Sequence, residues 1–196
     1  MSKTHNPSLL EALLDSWDRN NTILVNLLEA LPIGGLEARA MEDSPSIAEL
    51  FTHIRYVRLS TVSENATEFA QNHPEFVLQD DDEWIAERDI GFIAQMLNDS
   101  AKAVHDAVKH YVEVGLSMTG IYVSYDHPIL LLQHMLWHEG YHVGQMKLAL
   151  KRRATRCWTS KQDPLPGVSG GTDPEPSRCT VQTHESSSRW KRTPSR

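Results

Sequence analysis

The chain has 196 residues, of which 40% are hydrophobic and 7% aromatic, and its formal net charge is −7. This length suits one domain whose core is large enough to fold without disulfides. The sequence contains neither an apolar run of about 18 residues nor an apolar N-terminal stretch like that of a secretory signal, which excludes a membrane span and predicts a cytoplasmic location. Cys157 and Cys179 are too few and too badly placed for a disulfide framework.

The charge is divided unevenly along the chain. Residues 151–196 contain ten basic and four acidic residues, which leaves 9 of the 19 basic and 22 of the 26 acidic residues for the remainder. A body this acidic repels phosphate backbones, so we expect no nucleic-acid partner. The asymmetry indicates that the C-terminal part is a separate tail.

Two amphipathic helices are predicted in the first part of the chain. The first begins at residues 6–7, Asn-Pro, and carries leucines and Trp17 at steps of three and four residues, the pattern of one buried face. Pro32 ends it. The second begins with the capping box Ser46–Glu49, in which each side chain satisfies a free backbone N–H of the other residue. We expect it to run to about Asn72.

Two more helices are predicted after a long acidic connection, residues 73–89. The third covers roughly residues 90–114 and ends at Gly115. The fourth opens at residues 126–128, Asp-His-Pro, and runs to about Arg153. The sequence shows no strand pattern of useful length. Four long amphipathic helices predict an all-α fold, a four-helix bundle with a long connection between its second and third helices.

The two predicted parts of the chain differ in composition. Residues 1–153 form the predicted bundle. Residues 154–196 lack apolar periodicity and are dense in Ser, Pro, Gly and charged residues. Such a segment cannot bury enough apolar surface to offset its ordering entropy, so a disordered tail is expected.

A group of histidines is the candidate site. His134, His138 and His142 follow one another at four-residue steps, which places them on one face of the fourth helix. His134 and His142 are about 12 Å apart along the axis, so at most two of the three can share an ion. His53 lies on the core face of the second helix, where a polar ring needs a partner. Two histidines of the fourth helix together with His53 would give a divalent ion three imidazole ligands. Zinc, nickel or iron bound in this way would keep one coordination position open for water or substrate. Structural histidines are the alternative.

The stretch His138–His142, "HEGYH", matches the H-E-x-x-H pattern of zinc peptidases. A metzincin would have glycine and histidine where Gln145 and Leu148 stand. Other zinc peptidases take a third ligand from a carboxylate about twenty or more residues downstream, where the glutamates of this chain are only Glu175 and Glu185 of the predicted tail. A di-iron bundle would need two Glu-x-x-His motifs, of which this chain has one. Neither class fits the sequence.

The whole pattern resembles the DinB-like (DinB/YfiT) metal-binding four-helix-bundle family. The matching stretches are "SIAELFTHIRYVR" around His53 and "LLLQHMLWHEGYHVGQMKLALK" around His138 and His142. The following Gly144 and Gln145 match the family's x-G-Q and select these two histidines over His134. The resemblance covers roughly residues 5–153.

The resemblance implies that His53, His138 and His142 ligate a divalent ion (Zn, Ni or Fe). It also implies a bacterial homodimer and a thiol-dependent S-transferase or isomerase, with a low-molecular-weight thiol such as bacillithiol or mycothiol as cosubstrate. We therefore expect a metal-dependent enzyme of the thiol S-transferase or hydrolase type that acts on a small molecule. The alternative is a non-catalytic metal- or ligand-binding stress-response bundle. The chain departs from the family at Val143, where a basic residue or histidine is frequent. It departs again after Leu150, where relatives continue into a short segment with tryptophans, and we hypothesise an altered reading frame near the end of the gene.

Five further side chains are candidates beside the ion. Glu139 is the candidate catalytic base, with a solvated or indirect role as its alternative. Gln145 could orient a ligand histidine through a hydrogen bond. Arg55, Tyr56 and Arg58 follow His53 and could bind an anionic substrate, although they cannot all face inward.

Overall fold

The computed structural model describes residues 8–71 and 86–159, with the side chains of residues 156–159 excepted. Within these residues the regular secondary structure is helical apart from one small hairpin and the isolated bridge between Arg39 and Ser46. The predicted all-α class is confirmed. The elements in chain order are α1 (Leu9–Glu29), α2 (Ile47–Asn65), α3 (Thr67–Ala70), α4 (Ile90–Val114), β1 (Met118–Thr119), β2 (Ser124–Tyr125) and α5 (Ile129–Thr159). The two strands pair antiparallel.

Capping boxes set the start of the first two helices. At α1, Ser8 Oγ accepts a bond from the Glu11 N–H at 3.2 Å, and Glu11 Oε2 accepts one from the Ser8 N–H at 2.6 Å. The helix therefore begins at Leu9, and the predicted start at residues 6–7 is wrong. At α2, the predicted box is confirmed: Glu49 Oε2 accepts from the Ser46 N–H at 2.6 Å, and Ser46 Oγ from the Glu49 N–H at 3.3 Å.

The other helix ends differ in how well the sequence predicted them. α4 has the predicted bounds: the Asp89 side chain accepts from the Phe92 N–H at its start, and Gly115 closes it with a left-handed φ of 70°. α2 ends at Asn65 rather than near residue 72, because the backbone leaves the helical region at Ala66 (φ −156°, ψ 60°).

The last helix is longer than predicted. α5 begins at Ile129 and continues to Thr159, past its predicted end near residue 153. Residues 154–159 therefore belong to a helix and not to the predicted tail. The remainder of that tail, residues 160–196, and most of the predicted acidic connection lie outside the described residues. None of the described helices is long and apolar enough to cross a membrane.

The four long helices pack so that α4 and α5 each lie against both α1 and α2. The buried apolar residues form two clusters, one at each end of the bundle. One cluster centres on Trp17, Val104 and Met135. The other includes Leu24, Phe51, Leu97 and Met146. Between the two clusters lies a layer of buried polar residues, and this layer holds the candidate site.

The left-handed end of α4 gives a prediction about stability. Gly115→Ala is expected to lower the free energy of unfolding by about 1–2 kcal/mol, because a Cβ disfavours positive φ. Gly115→Asn should cost less, since asparagine enters the left-handed region more readily. Chemical denaturation measures both losses. Equal losses for the two variants would contradict this assignment of the helix end.

Candidate metal centre

The polar layer takes residues from all four long helices. On each helix the polar position falls between residues of the two apolar clusters, so that its side chain is buried at the middle of the bundle. The buried polar residues of the layer are Asn21 from α1, Arg58 from α2, Ser100 from α4, and Glu139 and His142 from α5.

Three histidine side chains meet within this layer. His53 comes from α2, and His138 and His142 come from successive turns of α5. The Nε2 atom of His138 lies 3.2 Å from Nε2 of His53 and 3.1 Å from Nε2 of His142. One ligand atom from each of the three residues lies within 4.8 Å of those of the other two. The structure therefore brings together the three histidines that the sequence singled out.

The spacing of these atoms suits a tetrahedral ion. Zinc binds imidazole nitrogen at about 2.0–2.1 Å, which separates neighbouring nitrogens of a tetrahedron by about 3.3 Å. The two measured separations, 3.1 and 3.2 Å, are close to that value. The donor set, its count and its spacing fit a divalent ion that keeps one further coordination position.

The histidines are held in the form that binds metal. Burial lowers the pKa of His53 to about 4 and that of His138 to about 3, and neighbouring histidines add to both shifts. Burial also lowers the pKa of His142, against the opposing effect of its bond to Gln145. All three rings are therefore neutral at neutral pH, and neutral imidazole is the ligand form.

The hydrogen bond predicted for Gln145 is present. Its Oε1 accepts from Nδ1 of His142 at 2.7 Å, which fixes the tautomer and leaves the Nε2 lone pair free to face the cluster. The Gln145 amide in turn donates to the Tyr141 hydroxyl at 3.3 Å. At His138, Nδ1 is buried and has no hydrogen-bond partner among the described residues. The Nε2 atoms of the three rings converge, as imidazole ligands of one ion do.

The fourth candidate histidine lies outside the cluster. His134 shares a 2.7 Å hydrogen bond with the Tyr125 hydroxyl of the small hairpin. Only two of the three histidines on α5 therefore take part, as their spacing predicted. Arg55 lines a groove of about 740 Å³ with Phe92 and Met96 on the α4 side of α2, whereas the histidines meet on the α5 side.

Arg58 forms a buried ion pair with Glu139 that was not expected. Arg58 Nε donates to Glu139 Oε1 at 2.6 Å and Nη2 donates to Oε2 at 2.9 Å. Both side chains are 0% exposed. The remaining guanidinium nitrogen, Nη1, donates to Asn21 Oδ1 at 2.9 Å and to the Leu97 carbonyl at 2.8 Å. Arg58 is therefore bound within the protein, and the prediction that it binds an anionic substrate is wrong.

Glu139 is engaged through both carboxylate oxygens. Besides the two bonds from Arg58, its Oε2 accepts from Asn20 Nδ2 at 2.5 Å. A carboxylate in such a pair is poorly placed to remove a proton from a substrate. Its contacts favour the indirect role, in which it holds α5 against α2 and α1 beside the histidines.

A sequence signal for this pair did exist. Arg58 lies at four-residue steps from Ile54 and Val62, both fully buried, and so continues the inner stripe of α2. Glu139 lies four residues after the buried Met135. A charged residue in register with a buried stripe needs a partner of opposite charge, and this rule pairs the two.

A comparison of the sequence with known protein families identifies the family of this helical bundle. The family model described as "DinB family" matches residues 1–153. The chain belongs to the DinB family. The match includes the four long helices up to residue 153, and therefore all three clustered histidines. Among curated proteins, no match is found. The expected family is thus confirmed, together with a histidine cluster that could hold a metal ion.

The Arg58–Glu139 pair gives a prediction for this DinB-family bundle. Glu139→Gln keeps the side-chain shape but leaves a buried guanidinium without its counter-charge, so the free energy of unfolding should fall by about 3–5 kcal/mol. The matched control is Asp15→Asn, which breaks the exposed Arg19–Asp15 pair, with side chains 76% and 61% exposed. The control should cost less than about 1 kcal/mol. Similar small losses for both variants would contradict the role given to the buried pair.

Proposed function

We propose that this protein holds a divalent metal ion on His53, His138 and His142, and that it is a metal-dependent enzyme of the thiol S-transferase or hydrolase type acting on a small molecule. The observation that carries the proposal is the convergence of three neutral imidazoles from α2 and α5 at separations of 3.1 and 3.2 Å. Burying three such rings without a ligand would cost desolvation with no gain in packing.

The donor set supports a reactive rather than a purely structural ion. Structural zinc sites are closed by four protein ligands, whereas three protein ligands leave a position for water or substrate. A divalent ion bound there supplies a Lewis acid that lowers the pKa of a water or thiol at that position. Imidazole nitrogen suits zinc, nickel and iron, and all three ions are candidates.

The surrounding residues position the ligands. Gln145 fixes the ring of His142 through Nδ1. The Arg58–Glu139 pair joins α2 to α5 close to all three histidines, so that His53 faces His138. We assign Glu139 this positioning role in preference to that of a catalytic base, because both of its oxygens accept bonds from Arg58 and Asn20.

The thiol cosubstrate rests on the family resemblance together with the chemistry of the site. An ion held by His53, His138 and His142 would supply the positive charge that lowers the pKa of a thiol and makes it a nucleophile at neutral pH. Bacillithiol, mycothiol and glutathione are the thiols to test. The second candidate, a bundle that binds metal or ligand without turnover, is favoured by one observation: Glu139, the acid next to the cluster, is already engaged in an ion pair.

Metal binding gives the first test of this proposal. His53→Ala and His138→Ala should each abolish stoichiometric binding of zinc or nickel, and Gln145→Ala should weaken binding by about 10–100-fold. His105→Ala is the matched control, because that ring pairs with Asp18 at 3.0 Å, outside the cluster. Elemental analysis and titration calorimetry measure these effects. Metal retained at full affinity by His53→Ala would contradict the proposed ligands.

Activity gives the second test. Metal-loaded protein is incubated with an electrophilic small molecule and each of the three thiols in turn, and the thioether product is measured. We expect turnover with at least one thiol, and none for His53→Ala. Protein that binds metal but turns over no thiol would overturn the S-transferase assignment and favour the non-catalytic alternative.

A further inference from the structure

His134 lies beside the histidine cluster, on the same face of α5, without being part of it. It precedes His138 by four residues, so that the two side chains are neighbours about 6 Å apart along the helix axis. Burial, and then His142, His53 and His134, lower the pKa of His138 to about 3. His134 is therefore close enough for a charge on it to act on a clustered ring, but it is not one of the three residues that would hold the ion.

The hydroxyl of Tyr125 fixes the ring of His134. The hydroxyl oxygen lies 2.7 Å from Nδ1 of the ring. Tyr125 is 5% exposed, and in the hairpin it pairs with Met118 of β1. Burial, followed by the negative charge of Glu64, raises the pKa of Tyr125 to about 12, so the phenol keeps its proton at neutral pH. A buried hydroxyl needs an acceptor, and Nδ1 of His134 is the one that it has within residues 8–71 and 86–159.

This bond determines which nitrogen of His134 carries the proton. Because the phenol donates to Nδ1, a neutral ring has its proton on Nε2. Nε2 has no hydrogen-bond partner in the described part of the chain, and it is not among the buried atoms that lack one. The Nε2–H group therefore reaches solvent and can donate to a bound molecule.

His134 also borders the cluster on the side towards the N-terminus of α5. On the opposite side, Gln145 accepts from His142 and donates to the Tyr141 hydroxyl. Towards the bundle axis, Glu139 is fully buried in its ion pair. A small molecule that reaches the cluster along α5 from its N-terminal side therefore meets the Nε2–H group of His134 first.

We propose that the Nε2–H group of His134 is a hydrogen-bond donor to the substrate, directed at an oxygen atom that gains negative charge during the reaction. The inference rests on the proposed function and deepens it by naming a substrate class: electrophiles in which the bond that breaks joins carbon to oxygen. A hydrogen bond to a developing oxyanion is charge-assisted and stronger than one to a neutral acceptor. Tyr125 acts through His134 and is a positioning residue.

The opening of an epoxide shows what the donor would do. The thiol loses its proton to water, its sulfur forms a bond to one epoxide carbon, and the bond from that carbon to oxygen breaks. The electron pair of the broken bond stays on the oxygen, which accepts from Nε2–H of His134 while it is negative and then takes a proton from water. One thiol and one epoxide give one hydroxy thioether, and no other reactant is consumed. A preorganised donor at such an oxygen accelerates a reaction by about 100–1,000-fold.

The test compares two electrophiles on the zinc-loaded full chain, with bacillithiol, mycothiol and glutathione in turn. Opening of styrene oxide leaves a negative oxygen, whereas iodoacetamide releases iodide, which gains little from a hydrogen bond. His134→Leu should lower kcat about 100-fold with styrene oxide and less than about threefold with iodoacetamide. His134→Gln, whose amide keeps an N–H donor, should recover part of the loss. Both variants should bind zinc as the wild type does, which also shows that they fold, because the proposed ligands come from α2 and α5.

Two further variants and a spectrum complete the comparison. Tyr125→Phe keeps the ring without its hydroxyl and should lower kcat with styrene oxide alone. His105→Leu is the matched control, because this ring is also held through Nδ1, by Asp18 at 3.0 Å, and it should react as the wild type does with both electrophiles. Nitrogen NMR of the histidine rings reports the tautomer without turnover. We expect the proton of His134 on Nε2 in the wild type and a mixture of tautomers in Tyr125→Phe.

Four results would overturn the donor and leave the proposed function standing. They are equal losses of kcat with the two electrophiles in His134→Leu, loss of zinc from that variant, a wild type that converts iodoacetamide but not styrene oxide, and a His134 proton on Nδ1. A zinc-loaded wild type that converts neither electrophile would contradict the proposed function. The ring spectrum then decides about the donor by itself: a proton on Nε2 supports it, and a proton on Nδ1 overturns it.

Discussion

The structure depends on one buried ion pair, Arg58 with Glu139. Both charges are removed from water, and a buried charge without a partner costs several kcal/mol. The helices can therefore pack well only in the register that brings the two side chains together. The neighbours of the pair extend this constraint to the whole bundle: Asn20 and Asn21 contact it from α1, and the Leu97 carbonyl contacts it from α4.

The same register assembles the histidine cluster. His138 directly precedes Glu139 and His142 follows it by less than one turn, while His53 lies just over one turn before Arg58. Once the ion pair has aligned α2 with α5, His53 faces the other two rings at 3.2 Å from His138. The low pKa values of His53 and His138 arise chiefly from burial in this layer. The Arg58–Glu139 ion pair and the histidine cluster thus lie in the same polar layer, between the two apolar clusters.

Patterns of neighbouring residues predicted the helices and most of their ends, but they did not predict the contacts between residues far apart in the sequence. The Ser46–Glu49 box and the end of α4 at Gly115 depend on neighbouring residues, and both were predicted. The start of α1 was missed because a second box, at Ser8, competes with the Asn-Pro signal. The histidines could be selected because their i, i+4 spacing and the family pattern restrict the choice. The Arg58–Glu139 pair joins residues 81 positions apart. The buried stripe of α2 includes the position of Arg58, but it does not say which residue of another helix would pair with it.

The central claim is that three imidazoles of this chain surround one divalent ion. X-ray absorption spectroscopy of the zinc-loaded protein, recorded without added thiol, tests it most directly. The account predicts three imidazole nitrogens at about 2.0–2.1 Å, with one further light-atom ligand. Sulfur ligation at about 2.3 Å, which would assign the ion to Cys157 or Cys179, or a spectrum without imidazole scattering, would contradict it.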